Sequence, residues 1–96
     1  MATKQIKLTP EQITLATTTA ANGNIATLAR MCRTDWRNPY FGAKPYLDAM
    51  MTMDKASDNY GMDSGKSIII YFLGNAQTWR GDVARIVKNE LKKRIK

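Results

Sequence analysis

Residues 67–73 read Ser-Ile-Ile-Ile-Tyr-Phe-Leu, and whether this run is a strand or a helix decides the fold of the 96-residue chain. Six consecutive apolar residues fit a buried strand or the centre of a buried helix, and periodicity does not separate the two. The neighbourhood favours a helix from about Ser64 to Thr78. The one plausible partner strand is Lys4 to Leu8 (KQIKL), and an isolated two-stranded ribbon is marginal in water. The expected fold is therefore all-α, a compact bundle of about five short helices in a single domain, residues 1–96. The alternative is α+β, with KQIKL paired to SIIIYFL.

Upstream, Leu8-Thr9-Pro10-Glu11-Gln12-Ile13 carries the marks of a helix start. Thr9 is the N-cap, Pro10 takes the first helical position, Gln12 closes a capping box, and Leu8 and Ile13 form a staple pair. This helix runs to Ala21 and stops at Asn22-Gly23, with glycine supplying a left-handed residue. Asn24 caps a second helix to about Thr34, whose inward stripe is Ile25, Leu28, Ala29 and Cys32. Asp35 to Lys44 (DWRNPYFGAK) reads as an ordered loop anchored by aromatics, and Pro45 opens a third helix with Leu47, Met50 and Met51 facing inward. The polar stretch from Asp54 to Gly65 reads as a mobile connection.

Residues 80–96 (RGDVARIVKNELKKRIK) form the last helix. At 100° per residue, Trp79, Val83, Ile86, Val87 and Leu91 share one half of the wheel, while Arg85, Lys88, Lys92, Lys93 and Lys96 share the other. From Arg85 to Lys96 there are six cations against Glu90 alone, so this segment holds +5 of the net +7. Cations there also suit the negative end of the helix dipole, so stability accounts for part of the pattern. A pI near 9.8 favours anionic partners, a nucleic acid or an acidic protein face, without choosing between them. A second group, Arg33, Trp36, Arg37, Tyr40, Phe41 and Lys44, interleaves cations with aromatics, a chemistry suited to stacking on bases or gripping a protein surface. The expected partner-binding residues are Arg85, Lys88, Lys92, Lys93 and Lys96, with Arg33, Trp36, Arg37 and Tyr40 as the second contact.

Several motifs dissolve on inspection. Gly61-Met62-Asp63-Ser64-Gly65-Lys66-Ser67 ends like a phosphate-binding loop, but Tyr60 stands where the first glycine belongs and no hydrophobic strand precedes it. Arg80-Gly81-Asp82 reads as the start of a helix, with Asp82 favourable at its N-terminus. Asp54, Asp58 and Asp63 lack calcium-loop spacing. With no histidine and one cysteine, catalytic triads and zinc sites lack their usual members, and Cys32 reads as core packing. A helix-turn-helix centred on Gly23 would present Arg30 and Arg33, but Asn22 and Asn24 flank the glycine where apolar residues are usual. No enzyme, cofactor or metal is expected. No apolar run spans a bilayer and the N-terminus lacks a signal segment, so the reading is a soluble cytoplasmic protein with no membrane partner.

The stretch Asn59 to Lys96 includes Tyr60-Gly61, Asp63-Ser64-Gly65, Tyr71-Phe72-Leu73, Asn75-Ala76, Thr78-Trp79-Arg80-Gly81 and Glu90-Leu91-Lys92. Together with Arg33-Thr34-Asp35-Trp36 and Pro45-Tyr46-Leu47-Asp48-Ala49-Met50, it resembles small uncharacterised proteins of phages, prophages and mobile elements. The resemblance covers about two thirds of the chain and brings no assigned activity or site. It implies a setting, a bacterial host, in which such products are often non-catalytic inhibitors of host machinery, anti-CRISPR proteins among them, or small DNA-binding regulators. The expected function is to bind and inhibit a host protein or nucleoprotein complex; the alternative is a small DNA- or RNA-binding regulator. Oligomeric state and target stay open.

Overall fold

A computed structural model describes residues 7–96. It contains five helices: α1 (Pro10–Asn22), α2 (Ile25–Asp35), α3 (Lys44–Met50), α4 (Gly65–Gly74) and α5 (Asp82–Arg94). SIIIYFL is helical, so the fold is all-α. Ser64 caps α4 by accepting from the Ser67 amide. Gly65, Ile68, Ile69 and Phe72 are buried, while Ile70 and Tyr71 look outward. That is helical spacing hidden inside an unbroken apolar run. Residues 4–6 of the KQIKL strand candidate lie outside the described residues. A ribbon does exist, but it is a two-residue hairpin, β1 (Asn59–Tyr60) against β2 (Asp63–Ser64), turning at Gly61 with φ +63°.

The caps appear where the sequence puts them. Thr9 and Gln12 form the reciprocal capping box of α1, with both bonds made. Leu8 and Ile13 are each half-buried. Asn24 caps α2 through the Thr27 amide at 2.8 Å. Gly23 departs from expectation, because its φ is −86° rather than left-handed. The glycine is needed for space instead: a Cβ there would sit 2.5 Å from Thr27 Cγ2 and 3.0 Å from the Thr19 carbonyl.

Helix α4 stops at Gly74, four residues before the expected end, because Asn75 turns back and its Nδ2 donates to the Tyr71 carbonyl at 2.8 Å. Helix α5 starts at Asp82, since Gly81 at φ +114° breaks the chain direction before it. The Asp54–Gly65 connection, expected to be mobile, is hydrogen-bonded. Asp58 accepts from the Asp54 and Lys55 amides, Gly65 donates to the Asp58 carbonyl, and the first amides of α2 donate to Met53 and Asp54. The two amides also hold the Asp58 carboxyl below its ordinary range.

Three long-range ties set the topology. Leu8 N donates to Asp82 Oδ2 at 3.0 Å, and Arg94 donates to carbonyls at the end of α1, so α1 runs parallel to α5. Trp79 Nε1 donates to Asp35 Oδ2 at 2.8 Å, tying the end of α2 to the start of α5, so those two are antiparallel. Helix α2 then packs on α3 and α3 on α4, giving a spatial order α1–α5–α2–α3–α4. The core runs along the α2–α5 seam through Ile25, Leu28, Cys32, Val87 and Leu91, and on to Leu47, Met50, Ile69 and Phe72. Burial, with Asp35 as a second cause, pushes the Cys32 thiol up to about 12, so it packs as an apolar group and carries negligible thiolate at neutral pH.

Candidate functional site

The cations expected on the outer face of α5 divide into two kinds. Lys92, Lys93 and Lys96 are exposed, and of these Lys93 has a weak partner, Glu90 at 4.0 Å. Arg85 is also exposed, but it lies in the first turn of α5 and is held by Asp82 at 2.8 Å. Lys88 corrects the helical-wheel reading. It turns inward, donating to the carbonyls of Ala76 at 2.7 Å and Trp79 at 2.6 Å, with its ammonium 5.8 Å from the centroid of a Trp79 ring. Burial lowers its pKa, and like charge from Lys92 and Arg80 adds to the effect. Lys88 therefore closes the turn before α5 rather than meeting a partner.

Arg94 behaves the same way. Its Nη2 donates to the carbonyls of Ala20 (3.1 Å), Ala21 (3.2 Å) and Gly23 (2.8 Å), and its Nε approaches Glu90 at 3.4 Å. The last carbonyls of a helix have no intrahelical donor, so a guanidinium from α5 completes α1 where no local C-cap does. The spacing carries both signals: Lys88 follows the buried Ala84 by four residues, and Arg94 follows the buried Val87 by seven.

The second expected group is rearranged as well. Trp36, read as a contact residue, is only 8 % exposed and stacks on Trp79, with centroids 5.9 Å apart and planes 9° from parallel. It is a core anchor because the indole area outweighs anything a solvent-facing position offers. Around it the polar members do face outward. Arg33 ends α2 and pairs with Asp48 at 3.4 Å, both partners exposed, while Arg37 and Lys44 are exposed and make no ion pair among the described residues. Arg33, Arg37, Lys44, Asp48, Pro39, Leu47 and the edge of Trp36 line a cleft of about 280 Å³. Tyr40 is 47 % exposed and Phe41 76 %, their rings 4.8 Å apart.

These two surfaces lie at opposite ends of α5, because Trp36 and Trp79 sit before its first residue and Lys92, Lys93 and Lys96 close its end. Thirteen residues at about 1.5 Å each separate them by about 20 Å, which exceeds two Debye lengths of about 8 Å in physiological salt. They act as independent charges. The C-terminal surface gains a member that the α5 pattern omitted: Lys66, from the first turn of α4, joins Lys96, Arg94, Ser57 and Ser64 around a recess of about 300 Å³. The sequence signal for Lys66 was the Gly65-Lys66-Ser67 run, but nothing local placed it beside Lys96.

The chain matches no protein-family model, no curated protein and no solved structure. Among the described residues, no helix is long and apolar enough to cross a membrane.

Proposed function

We propose that the protein is a non-enzymatic accessory protein of a phage or mobile element that binds and blocks a macromolecular complex of its bacterial host. The contact is the cationic end of α5. One observation carries this reading: Lys66 from α4, Arg94 at the end of α5 and Lys96 just past it line a recess with no carboxylate among its described lining residues, and Lys92 and Lys93 stand exposed in the last turn of α5 beside them. Concentrated charge of one sign costs self-repulsion in the free protein, and an anionic partner relieves it. Blocking follows from occlusion, since a rigid 10.8 kDa body seated on an acidic face excludes whatever normally docks there.

The test is affinity capture from host lysate, with and without nuclease, using wild type and a folded Lys92→Glu/Lys93→Glu/Lys96→Glu variant. The expected result is a partner retained after nuclease treatment, lost by the variant, and inhibited in its own assay at near-stoichiometric addition of wild type. Equal capture by the variant refutes the proposed surface. Capture that nuclease abolishes favours the alternative, a small DNA- or RNA-binding regulator using the same cations on phosphates.

A further inference from the structure

The other end of α5 carries a chemically different surface, and it stands apart from the reading above. Pro39 and Lys44 both line the Arg33–Arg37–Lys44 cleft, so the turn between them, Tyr40-Phe41-Gly42-Ala43, starts and ends at its rim. This rim is built, not frayed. The Ala43 amide donates to the Tyr40 carbonyl at 2.8 Å and the Lys44 amide to the Phe41 carbonyl at 3.3 Å. The Tyr40 ring lies against Gly42 so closely that a Cβ there would fall 2.6 Å from Tyr40 Cε2 and 2.8 Å from Asn75 Oδ1. The absence of a side chain at Gly42 thus leaves room for the Tyr40 ring, and Tyr40 in turn supports Phe41 at 4.8 Å.

A fixed turn that holds a phenylalanine 76 % exposed spends hydrophobic free energy without any gain in packing. Beside it stand three cations, and the one carboxylate of the cleft, Asp48, is already engaged by Arg33. An exposed aromatic face next to unneutralised cations matches one chemistry best: a flexible polyanion whose bases are free to stack. Duplex nucleic acid keeps its base faces covered, and the carboxylates of a run of Asp or Glu offer Phe41 no extended π face to stack on. We propose that the Tyr40–Phe41 rim and the Arg33–Arg37–Lys44 cleft form a binding site for single-stranded nucleic acid. In it Phe41 stacks on an unpaired base, Tyr40 backs it, and Arg37 and Lys44 take the flanking phosphates.

Fluorescence anisotropy with labelled twelve-nucleotide RNA, the same sequence as DNA, its duplex, and polyglutamate as competitor tests this over a salt series. Single strands are expected to bind more tightly than duplex, the RNA and DNA arms showing which sugar is preferred. Phe41→Ala is expected to weaken single-strand binding by about 5- to 150-fold, the range for loss of one stacked base. Two phosphate contacts give a slope of log affinity on log salt of about −1.4, brought to about zero by Arg37→Gln/Lys44→Gln. Gly42→Ala displaces Tyr40 and weakens binding without altering the salt slope. Because Phe41 is exposed, its removal leaves the fold intact, which circular dichroism verifies. Duplex binding as tight as single strand overturns the proposal, as does an unchanged affinity in Phe41→Ala, or polyglutamate competing as well as the oligonucleotide. The Lys92→Glu/Lys93→Glu/Lys96→Glu variant retains single-strand binding here; if that variant alone loses it, binding resides at the far end of α5 and this site is refuted.

Discussion

Replacing Lys88 by methionine keeps an unbranched stem one atom shorter and removes the charge and donors. The Trp79 carbonyl then loses its donor in a turn where Ala76 and Trp79 are both buried, while the Ala76 carbonyl keeps the Trp79 amide at 3.1 Å. An orphaned buried acceptor costs about 1–3 kcal/mol, and the loss of the second donor at Ala76 adds little to that. Two effects reduce that figure: Lys88 is only half-buried, which lets water reach part of the gap, and removing the ammonium also removes its desolvation cost. The net expectation is a loss of about 1–2 kcal/mol, or about 4–16 °C in Tm for a domain of this size. Urea denaturation followed by Trp36 and Trp79 fluorescence, checked for an unchanged m-value, measures it. Lys92→Met, on the exposed side of the same helix, is the control and should stay within about 0.5 kcal/mol of wild type.

A pH series supplies a second readout for Lys88. The folded pKa lies below the ordinary 10.5, so as pH rises the folded protein releases this proton before the unfolded chain does. The unfolded state then holds more protons, and the contribution of Lys88 to stability rises with pH in the interval just below 10.5. The neutral amine still donates to both carbonyls. Lys88→Met abolishes this rise. Equal stability of Lys88→Met and Lys92→Met would show that the ammonium does not hold the turn.

Further outcomes follow from the same contacts. Trp36→Ala is expected to lose about 3–5 kcal/mol by emptying the stack on Trp79, so lost binding in that variant reports unfolding; a cost under about 1 kcal/mol in urea melts would place Trp36 outside the core. Gly23→Ala is expected to destabilise by about 1–3 kcal/mol through its clash with Thr27, whereas Gly74→Ala, with open space around its Cβ, is neutral or stabilising by up to about 1 kcal/mol; thermal melts that rank the two the other way contradict the packing at the α1–α2 turn. For Asp82, the Leu8 amide and Arg85 hold the carboxyl below its ordinary 3.8. Its stabilisation is therefore present above 3.8 and is lost as pH falls through the lowered folded value. The Tm gap between wild type and Asp82→Asn should close on acidification, and a gap that does not depend on pH rules the contact out.

Much of the fold was legible because it is written in interactions three or four residues long. The Thr9–Gln12 box, the Asn24 cap and the stripe Ile25, Leu28, Ala29 and Cys32 all close within one or two turns, so the local pattern suffices. The ends of α4 and α5 were less legible, since Asn75 turned the chain with its own side chain and Gly81 adopted a positive φ that its position does not announce. The candidate sites were legible as chemistry but not as geography. Arg33 and Arg37 do gather near Trp36, yet Trp36 itself is inside, Tyr40 and Phe41 are the exposed rings, and Lys66 joins Lys96 from a distant element.

Composition and periodicity by themselves determined that this chain is a small basic helical domain with an amphipathic last helix, because backbone hydrogen bonds and apolar spacing are local and repeat along the chain. Tertiary packing alone decided which cations remain free. A lysine or arginine has a stem long enough to reach a carbonyl several ångströms away, so Lys88 and Arg94 are captured by carbonyls of the α4–α5 turn and of α1, groups whose position exists only once the helices are assembled.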